Sequence, residues 1–379
     1  MKRYEPESVR AQILVLLHKW GMTENDAAIT AEVMLDTDLS GIDSHGISML
    51  PMYDAMMLSG EINPRPTTRT VREGPGFALL DADNGLGHPV AVKAMKLAME
   101  KARTSGIGCV SVYNSHHYGA AGYYVRIAAE KGLFGMTTST TSLPAVIPTG
   151  AQAAVLGTNP IAFAAPSANT APFVLDMSTS IVAGNKVKTY ALRDQPLPTG
   201  WVSDRNGNSV TDSKKAHALI GKSGSGGLLP LGGASTTTGG HKGFGLSIMV
   251  QILSASLNGA AQPGHGNGHH NIGHFFLAID PEAFNPEGGA EEITGQLLQD
   301  LKHAPPLPGQ KVVIPGEPEA ASRLIRAETG IPLPPALIQK IAHISRTNGV
   351  DSPLAEMPSP DQSAGLTPRR PLGQQGCRR

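Results

Sequence analysis

The apolar residues of the first 20 positions recur at helical spacing, and Gly21 ends the run. Thr23 followed by Asp26 has the spacing of a capping box, which predicts the start of a second helix. The helical pattern returns near the other end of the chain. We therefore predict one helical domain built from both chain ends, residues 1–72 with 318–350.

Between these ends the apolar residues form short runs bounded by turn residues, a pattern typical of β-strands. The runs cover residues 77–80, 109–112, 134–137, 161–164 and 173–175, with helical patterning near 88–103, 119–131 and 244–257. Residues 183–235 are polar, rich in glycine, serine and proline, and only weakly periodic, which indicates a smaller lobe. The segment 73–317 is therefore predicted to be an α/β domain that contains this lobe.

Composition narrows the class of protein. The 379 residues include 31 basic and 31 acidic ones, so the net field favours neither nucleic acid nor an anionic membrane as a partner. Two cysteines, Cys109 and Cys377, make no disulfide framework and fit a reducing compartment, and no stretch approaches the roughly 20 apolar residues of a membrane span. We predict a cytoplasmic enzyme of small molecules with a disordered tail over residues 351–379.

The stretch Asp43-Ser44-His45-Gly46 places a hydroxyl beside an imidazole. Such a pair can move a proton, because the charge of an imidazole changes near neutral pH. A structural alternative is that Asp43 or Ser44 caps a helix over residues 49–58. The positive end of that helix dipole would lower the pKa of His45 and keep the ring neutral, so the two interpretations are compatible.

A second histidine motif runs from Asn114 to Gly122, after a predicted strand and at the start of a helix rich in small residues. Polar groups at a strand-to-helix turn face a cleft, which makes His116 and His117 candidates for chemistry. The alternative is that Asn114 or Ser115 caps the helix and that the histidines are merely exposed.

A dinucleotide needs a turn that binds phosphate. Residues 85–90 follow a strand and precede a helix, but Val90 stands in place of the third glycine of a Rossmann fingerprint. Lys242 is more persuasive, since it lies among four glycines in the segment 239–245, just before an apolar helical run. Glycines let the backbone approach an anion, and a lysine at a helix N-terminus adds a full charge. The alternative is a solvated lysine in a flexible loop.

Two further turns carry small hydrogen-bonding residues at strand ends. They are Gly157-Thr158-Asn159-Pro160 and Asp176-Met177-Ser178. Each could hold a carboxylate, a ribose or an amide, although each alone is simply a turn.

In this order the motifs resemble those of the malate/L-lactate/sulfolactate/ureidoglycolate dehydrogenase family, NAD(P)-dependent oxidoreductases without a Rossmann domain. The resemblance covers residues 5–350 and includes Asp83 to His88 and Pro315-Gly316-Glu317. It implies a non-Rossmann cofactor domain around a largely antiparallel or mixed sheet, plus the helical domain. It also implies a homodimer whose active site lies near the subunit contact.

The resemblance also assigns roles to residues. His117 matches the acid/base histidine of hydroxy-acid enzymes, while Ser44 with His45 matches the pair given that role in cyclic-imine reductases, so either histidine can be the acid/base here. NAD or NADP would contact Thr141, Asp176, Met177, Ser178, His241, Lys242 and Gly243, and a small carboxylate substrate would contact His45, Thr158 and Asn159. A hydride would pass between nicotinamide C4 and C2 of a 2-hydroxy or 2-oxo acid.

The chain departs from the family at informative positions. Met49 replaces an arginine that in many relatives can hold the substrate carboxylate, which leaves the substrate open. His116 replaces the usual asparagine, and Lys186 lies where imine reductases have a catalytic aspartate, which favours hydroxy acids over imines. Ser142 follows Thr141 where an acid would repel a 2′-phosphate, so NAD and NADP both remain possible.

A remote alternative is a metal-dependent lyase or hydrolase that uses a histidine-rich loop. Its ligands would be His265, His269, His270 and His274. No carboxylate accompanies them and their spacing fits no helical metal motif, so we predict an enzyme without a metal.

Overall fold

The computed structural model of the protein describes residues 1–222, 224, 226–264 and 271–357. Its strands are β1 (Arg3–Tyr4), β2 (Arg69–Gly74), β3 (Phe77–Asp81), β4 (Ile107–Ser115), β5 (Phe134–Ser139), β6 (Ile161–Ala165), β7 (Phe173–Met177), β8 (Val202–Asp204), β9 (Gly226–Leu228), β10 (Ile272–Ile279) and β11 (Ile331–Pro332). Its α-helices are α1 (Pro6–Lys19), α2 (Glu24–Leu39), α3 (Leu50–Leu58), α4 (Gly87–Ser105), α5 (Gly122–Ala129), α6 (Gly184–Leu192), α7 (Ser213–Leu219), α8 (Gly240–Gln251), α9 (Ala290–Lys302), α10 (Glu317–Thr329) and α11 (Pro335–Thr347). Short 3₁₀ turns lie at Ile47–Met49 and Pro281–Ala283, and a π-helical segment, Ile252–Ser256, continues α8.

A seven-stranded sheet forms the centre, with the strand order β2-β3-β4-β10-β5-β6-β7. Only the β3–β4 pair is parallel among the described strands of this sheet, and the other five neighbouring pairs are antiparallel. A Rossmann sheet is mostly parallel, because helices connect its strands. The predicted non-Rossmann α/β fold with a largely antiparallel, mixed sheet is therefore confirmed.

All five strand-like runs of the sequence lie within β3 to β7. The pattern missed β2, whose side chains are mostly exposed, and β10, which occupies a central position between β4 and β5. Strand β10 begins with Ile272, Gly273 and His274, and these small and polar residues break the apolar run that marks a buried strand. Helices α6, α7 and α9 were also not predicted.

The helices of both chain ends meet in one hydrophobic cluster. Helices α1, α2 and α3 contribute half of its buried side chains, and α11 adds Ile341 and Ile344. The N-terminus of α2 confirms the predicted cap, because the Thr23 hydroxyl accepts the Asp26 N–H at 3.2 Å.

Two further hydrophobic clusters lie elsewhere in the chain. One joins α4 and α5 to the central sheet, and the other joins α6, α7 and the β8–β9 hairpin to residues 145 and 146. We propose that the three clusters mark the helical domain, the cofactor domain and the smaller lobe.

The start of the predicted disordered tail differs from the prediction. Residues 351–357 lie alongside β1. The Met357 N–H donates to the Arg3 carbonyl at 2.8 Å, and the Glu5 N–H donates to the Ala355 carbonyl at 3.0 Å. Backbone pairing holds this segment, and composition alone does not reveal such pairing. The remainder of the predicted tail, 358–379, lies outside the described residues. Among the helices that are described, none is long and apolar enough to cross a membrane.

Candidate active site

The turn after α2 carries the first histidine motif. Ser44 Oγ lies 2.7 Å from His45 Nδ1, and Asp43 forms an ion pair with Arg326 of α10 at 2.5 Å. Helix α3 begins only at Leu50, and no side chain caps its N-terminus. The capping alternative for Asp43 and Ser44 is therefore wrong, because both side chains are engaged elsewhere.

The second histidine motif forms the loop between β4 and α5. Helix α5 begins at Gly122 without a side-chain cap, and Ser115 is the last residue of β4. Asn114 Nδ2 donates to Asp81 Oδ1 at 3.0 Å. Neither Asn114 nor Ser115 caps the helix, so this alternative is also wrong.

His117 has two partners at one ring nitrogen. The Tyr53 hydroxyl lies 2.7 Å from His117 Nδ1, and the Gly119 N–H donates to the same atom at 3.4 Å. Tyr53 belongs to α3 and is completely buried. A side chain of α3 therefore fixes the orientation of a histidine in the loop after β4.

The two histidine motifs, distant in sequence, meet in space. The rings of His45 and His117 stack with centroids 5.4 Å apart and an angle of 27° between their planes. Burial lowers the pKa of His45 to about 4 and that of His117 well below its ordinary value. The expected lowering of the His45 pKa thus has burial, rather than a helix dipole, as its cause.

His88 is a third imidazole in this cluster, and the sequence did not single it out as a site residue. It is completely buried, and its ring meets Tyr53 edge to face with centroids 5.8 Å apart. Neither ring nitrogen has a hydrogen-bond partner among the described residues. Burial lowers the pKa of His88 to about 3, so the ring is neutral. Its signal in the sequence was a polar residue in the first turn of a helix, directly before the apolar run of residues 89–92.

Two more histidines have structural contacts. His116 Nε2 lies 2.9 Å from the Glu61 carbonyl and 3.0 Å from Asn84 Oδ1. His274, in the centre of the sheet, lies between the hydroxyls of Ser115 and Ser139 at 3.0 and 2.8 Å. Both ring nitrogens of His274 therefore have hydrogen-bond partners inside the sheet, which argues against a role as a metal ligand of the histidine-rich loop.

The remaining histidines of the metal alternative, His265, His269 and His270, lie outside the described residues. Within the part of the chain that the structure describes, no group of three or more His, Cys, Asp or Glu side chains could hold a metal ion.

Asp176 lies at the end of β7, beside the loop of His117. Its Oδ2 atom accepts the N–H of Gly122, the first residue of α5, at 2.7 Å, while the side chain is otherwise exposed. The residues after Asp176 contact the loop that precedes α8. The Leu231 N–H of that loop donates to the Thr179 carbonyl at 3.0 Å. Met177 and Ser178 lie in this turn and are half-buried.

The turn at residues 157–159 connects the other predicted contacts. A Cβ atom on Gly157 would lie 2.1 Å from Thr141 Oγ1, so only glycine fits beside that threonine. The hydroxyl of Thr179 donates to the carbonyls of Thr158 and Asn159 at 3.2 and 3.0 Å. Thr141, Thr158 and the turn after Asp176 therefore form one continuous surface.

The side chain of Asn159 faces helix α8. It is completely buried, and its Nδ2 atom donates to the Ser247 carbonyl at 3.0 Å and to Gln251 Oε1 at 3.1 Å. The Oδ1 atom has no partner among the described residues. Asn159 thus holds α8 in place, and its predicted contact with the substrate stays a prediction.

The glycines around Lys242 serve close packing. A Cβ atom on Gly243 would lie 2.1 Å from the Leu231 carbonyl, and one on Gly240 would lie 1.9 Å from the Gly233 carbonyl. His241 and Lys242, in the first turn of α8, are both exposed. The glycines therefore dock the helix tightly on the loop before it, and this leaves the lysine free to reach a ligand.

A side chain of α6 reaches the first histidine motif. Asn185, in the first turn of α6, donates from Nδ2 to the Ser44 carbonyl at 3.1 Å. Lys186 next to it lies over the Trp201 ring at 5.2 Å from the centroid. Met49 is buried against the helical cluster, one helical turn before Tyr53.

Comparisons with known proteins agree with the family resemblance of the motifs. Residues 4–342 match the family Malate/L-lactate dehydrogenase. The chain is 41% identical over 346 residues to malate dehydrogenase of Pyrococcus abyssi, which covers 89% of this chain and 92% of that protein. It is 36% identical to L-sulfolactate dehydrogenase of Methanocaldococcus jannaschii, over 86% of this chain and 91% of that one.

A solved structure supports the same relationship. The crystal structure of malate dehydrogenase from Entamoeba histolytica superposes with a TM-score of 0.88 at 32% identity, covering 92% of this chain and 99% of that chain. The chain belongs to the malate/L-lactate dehydrogenase family and is a dehydrogenase of 2-hydroxy acids. The predicted family and enzyme class are confirmed.

Proposed function

We propose that this protein transfers a hydride between C4 of the nicotinamide of NAD or NADP and C2 of a small 2-hydroxy or 2-oxo acid, while His117 carries the proton. The observation that carries the proposal is the stacked pair of His45 and His117, 5.4 Å apart. Hydroxyls engage the Nδ1 atom of each ring, which leaves both Nε2 atoms for a substrate.

His117 suits the acid/base role better than His45. Its Nδ1 atom lies between a buried phenol and a backbone N–H, so protein groups define the ring orientation. Burial keeps the ring neutral in the resting enzyme, and a neutral ring can take the proton of a 2-hydroxyl group at Nε2. His117 then returns that proton to the substrate oxygen in the opposite direction.

His45 suits the substrate carboxylate. Ser44 Oγ beside Nδ1 can donate to that nitrogen, which places the ring proton on Nε2. The His45 and His117 ring centroids are 5.4 Å apart, and this spacing suits a donor to a group one carbon from the reacting centre, which is where the carboxylate of a 2-hydroxy acid lies. We assign Ser44 to the orientation of His45.

The described residues fit a dinucleotide. The exposed Lys242 in the first turn of α8 suits a phosphate, and the exposed carboxylate of Asp176 suits a ribose hydroxyl. The predicted substrate contacts, Thr158 and Asn159, lie in the turn next to Thr141. Thr141, Met177, Ser178, His241 and Gly243 would complete the contacts, and Ser142 would tolerate the 2′-phosphate of NADP.

We also propose a homodimer located in the cytoplasm. Support for the dimer comes from the outer face of α8 and its π-helical continuation, where Ile248, Met249, Ile252 and Leu257 are exposed. Burying such a face against a second copy would bring the subunit contact close to Lys242. Light scattering of the purified protein measures this directly, and a monomeric mass would contradict it.

The oxidation of NADH and NADPH tests the reaction. Each is mixed with the enzyme and a panel of 2-oxo acids and cyclic imines, with and without a chelator. Turnover of at least one 2-oxo acid that a chelator does not affect is expected. Activity with imines alone would favour a reductase of cyclic imines, and loss of activity with the chelator would favour a metal enzyme.

A further inference from the structure

Tyr53 is a residue that the family motifs did not assign to the chemistry. It lies in the second turn of α3, is completely buried, and places its hydroxyl 2.7 Å from His117 Nδ1. The only other group at that nitrogen among the described residues is the Gly119 N–H at 3.4 Å. These two groups determine which nitrogen of His117 carries a proton.

The Gly119 N–H can only donate, so it favours a bare Nδ1 atom. In a neutral imidazole the proton then lies on Nε2. Such a ring can donate to a substrate oxygen, but it cannot take a proton there. To act as a base at Nε2, His117 must carry its proton on Nδ1, and this proton needs an acceptor.

The Tyr53 hydroxyl is that acceptor, because a phenol can both donate and accept. We propose that Tyr53 is a positioning residue for the reaction, whose oxygen accepts the hydrogen bond of His117 Nδ1–H and so holds the neutral ring in the tautomer with a bare Nε2 atom, both before and after Nε2 exchanges a proton with the substrate. This inference rests on the proposed function. It assigns His117 a defined orientation and the tautomer that a base at Nε2 requires.

The surroundings of Tyr53 hold the phenol in one place. Met49 packs one helical turn before it in the same cluster, and His88 meets it edge to face at 5.8 Å. Burial also raises the pKa of Tyr53, so the hydroxyl stays protonated throughout. Tyr53 is therefore a hydrogen-bond partner and is not itself the source of the transferred proton.

The proton balance of the oxidation follows. His117 begins the oxidation as a neutral ring with its proton on Nδ1, and its Nε2 atom takes the 2-hydroxyl proton. A bound dinucleotide would take the C2 hydride, and a 2-oxo acid would form. His117 is then an imidazolium with Nε2–H at the substrate and Nδ1–H on the Tyr53 oxygen. Release of one proton to solvent restores the neutral ring, so one proton appears for each hydride transferred.

The variant Tyr53→Phe tests this role, because it removes only the hydroxyl. We expect kcat to fall about 10- to 100-fold in both directions, with KM within about 3-fold of the parent. The protonated ring loses its acceptor, so the limb of the pH profile of kcat that reports His117 should move to lower pH. Tyr4→Phe is the matched control, since Tyr4 is a buried tyrosine of the same cluster.

A second variant keeps the proposal testable if Tyr53→Phe fails to fold. Genetic incorporation of 3,5-difluorotyrosine at position 53 keeps the packing but makes the phenol a weaker acceptor. We expect a smaller fall in kcat and the same direction of the pH shift. Wild-type kcat and pH profile in this variant, or an equal loss in Tyr4→Phe, would overturn the role of Tyr53. A parent enzyme that turns over no 2-oxo acid would instead refute the proposed function.

Discussion

The carboxylate of Asp38 accepts the backbone N–H of Ile47 at 2.7 Å and thereby fixes the turn that carries His45. A Cβ atom on Gly46 would lie 2.0 Å from Asp38 Oδ1, so the carboxylate occupies the space where a side chain would begin. Asp38 is completely enclosed, and this burial raises its pKa to about 8. The position of the first histidine thus depends on one buried carboxyl group and one missing side chain.

Gly46→Ala is therefore expected to disrupt the site. The new methyl group must displace the Asp38 carboxylate, which typically costs about 1–3 kcal/mol in a packed interior. We expect kcat/KM for the 2-oxo acid to fall at least about 10-fold, together with a lower midpoint of urea unfolding. Gly245→Ala is the matched control, because nothing lies within 4 Å of the Cβ position there. Equal activity of the two variants would show that Asp38 has room to move.

The fold was predictable where local pattern decides structure. The strand-like runs at β3 to β7 and the cap at Thr23 follow from residues that are neighbours in sequence. Strand β10 was not predictable in this way, because its place in the sheet depends on two distant partners, β4 and β5. Its histidine is tolerated because Ser115 and Ser139 hydrogen-bond the His274 ring, and Gly273 is required because a Cβ atom there would lie 1.7 Å from the Ser254 carbonyl oxygen.

The site was predictable only in part, for the same reason. The motifs of His45 and His117 were recognisable, but their stacking joins segments 72 residues apart and could not be deduced from either motif. Both capping alternatives failed because distant groups, such as Arg326 for Asp43, compete for the side chains. Tyr53 has no motif of its own, and His88 ends the Asp83 to His88 motif without an assigned role. Only packing brings the two residues to His117.

Separate variants of the two stacked histidines should have different kinetic effects. His117→Ala removes the group that handles the proton, so we expect kcat to fall at least about 100-fold. His45→Ala removes the proposed donor to the substrate carboxylate, so we expect a larger rise in KM than fall in kcat. Steady-state kinetics with a 2-oxo acid and NADH decide between the roles. The opposite pattern would exchange the assignments of His45 and His117.

Lys242 is expected to contribute to cofactor affinity rather than to chemistry. The Lys242→Ala variant loses one charged contact with a phosphate, which corresponds to about 1.5–3 kcal/mol of binding free energy. The dissociation constant for NADH or NADPH should therefore rise roughly 10- to 100-fold. Fluorescence titration measures this constant, and kcat at saturating cofactor should stay within a few-fold. Lys19→Ala, a change of an exposed lysine at the end of α1, is the control. An unchanged dissociation constant would refute the phosphate contact.

The buried histidines should make the protein sensitive to acid. Burial lowers the pKa of His88 from 6.5 to about 3, so the folded state keeps the ring neutral while the unfolded chain takes up a proton below pH 6.5. The stabilisation is complete above pH 6.5 and is lost as the pH falls toward 3, at up to about 1.4 kcal/mol per pH unit for one histidine. We expect His88→Phe to reduce this slope between pH 6.5 and 5, as measured by urea unfolding. His303→Phe, at an exposed position, should retain the parental slope, and equal slopes in the parent and His88→Phe would contradict the neutral, buried state of His88.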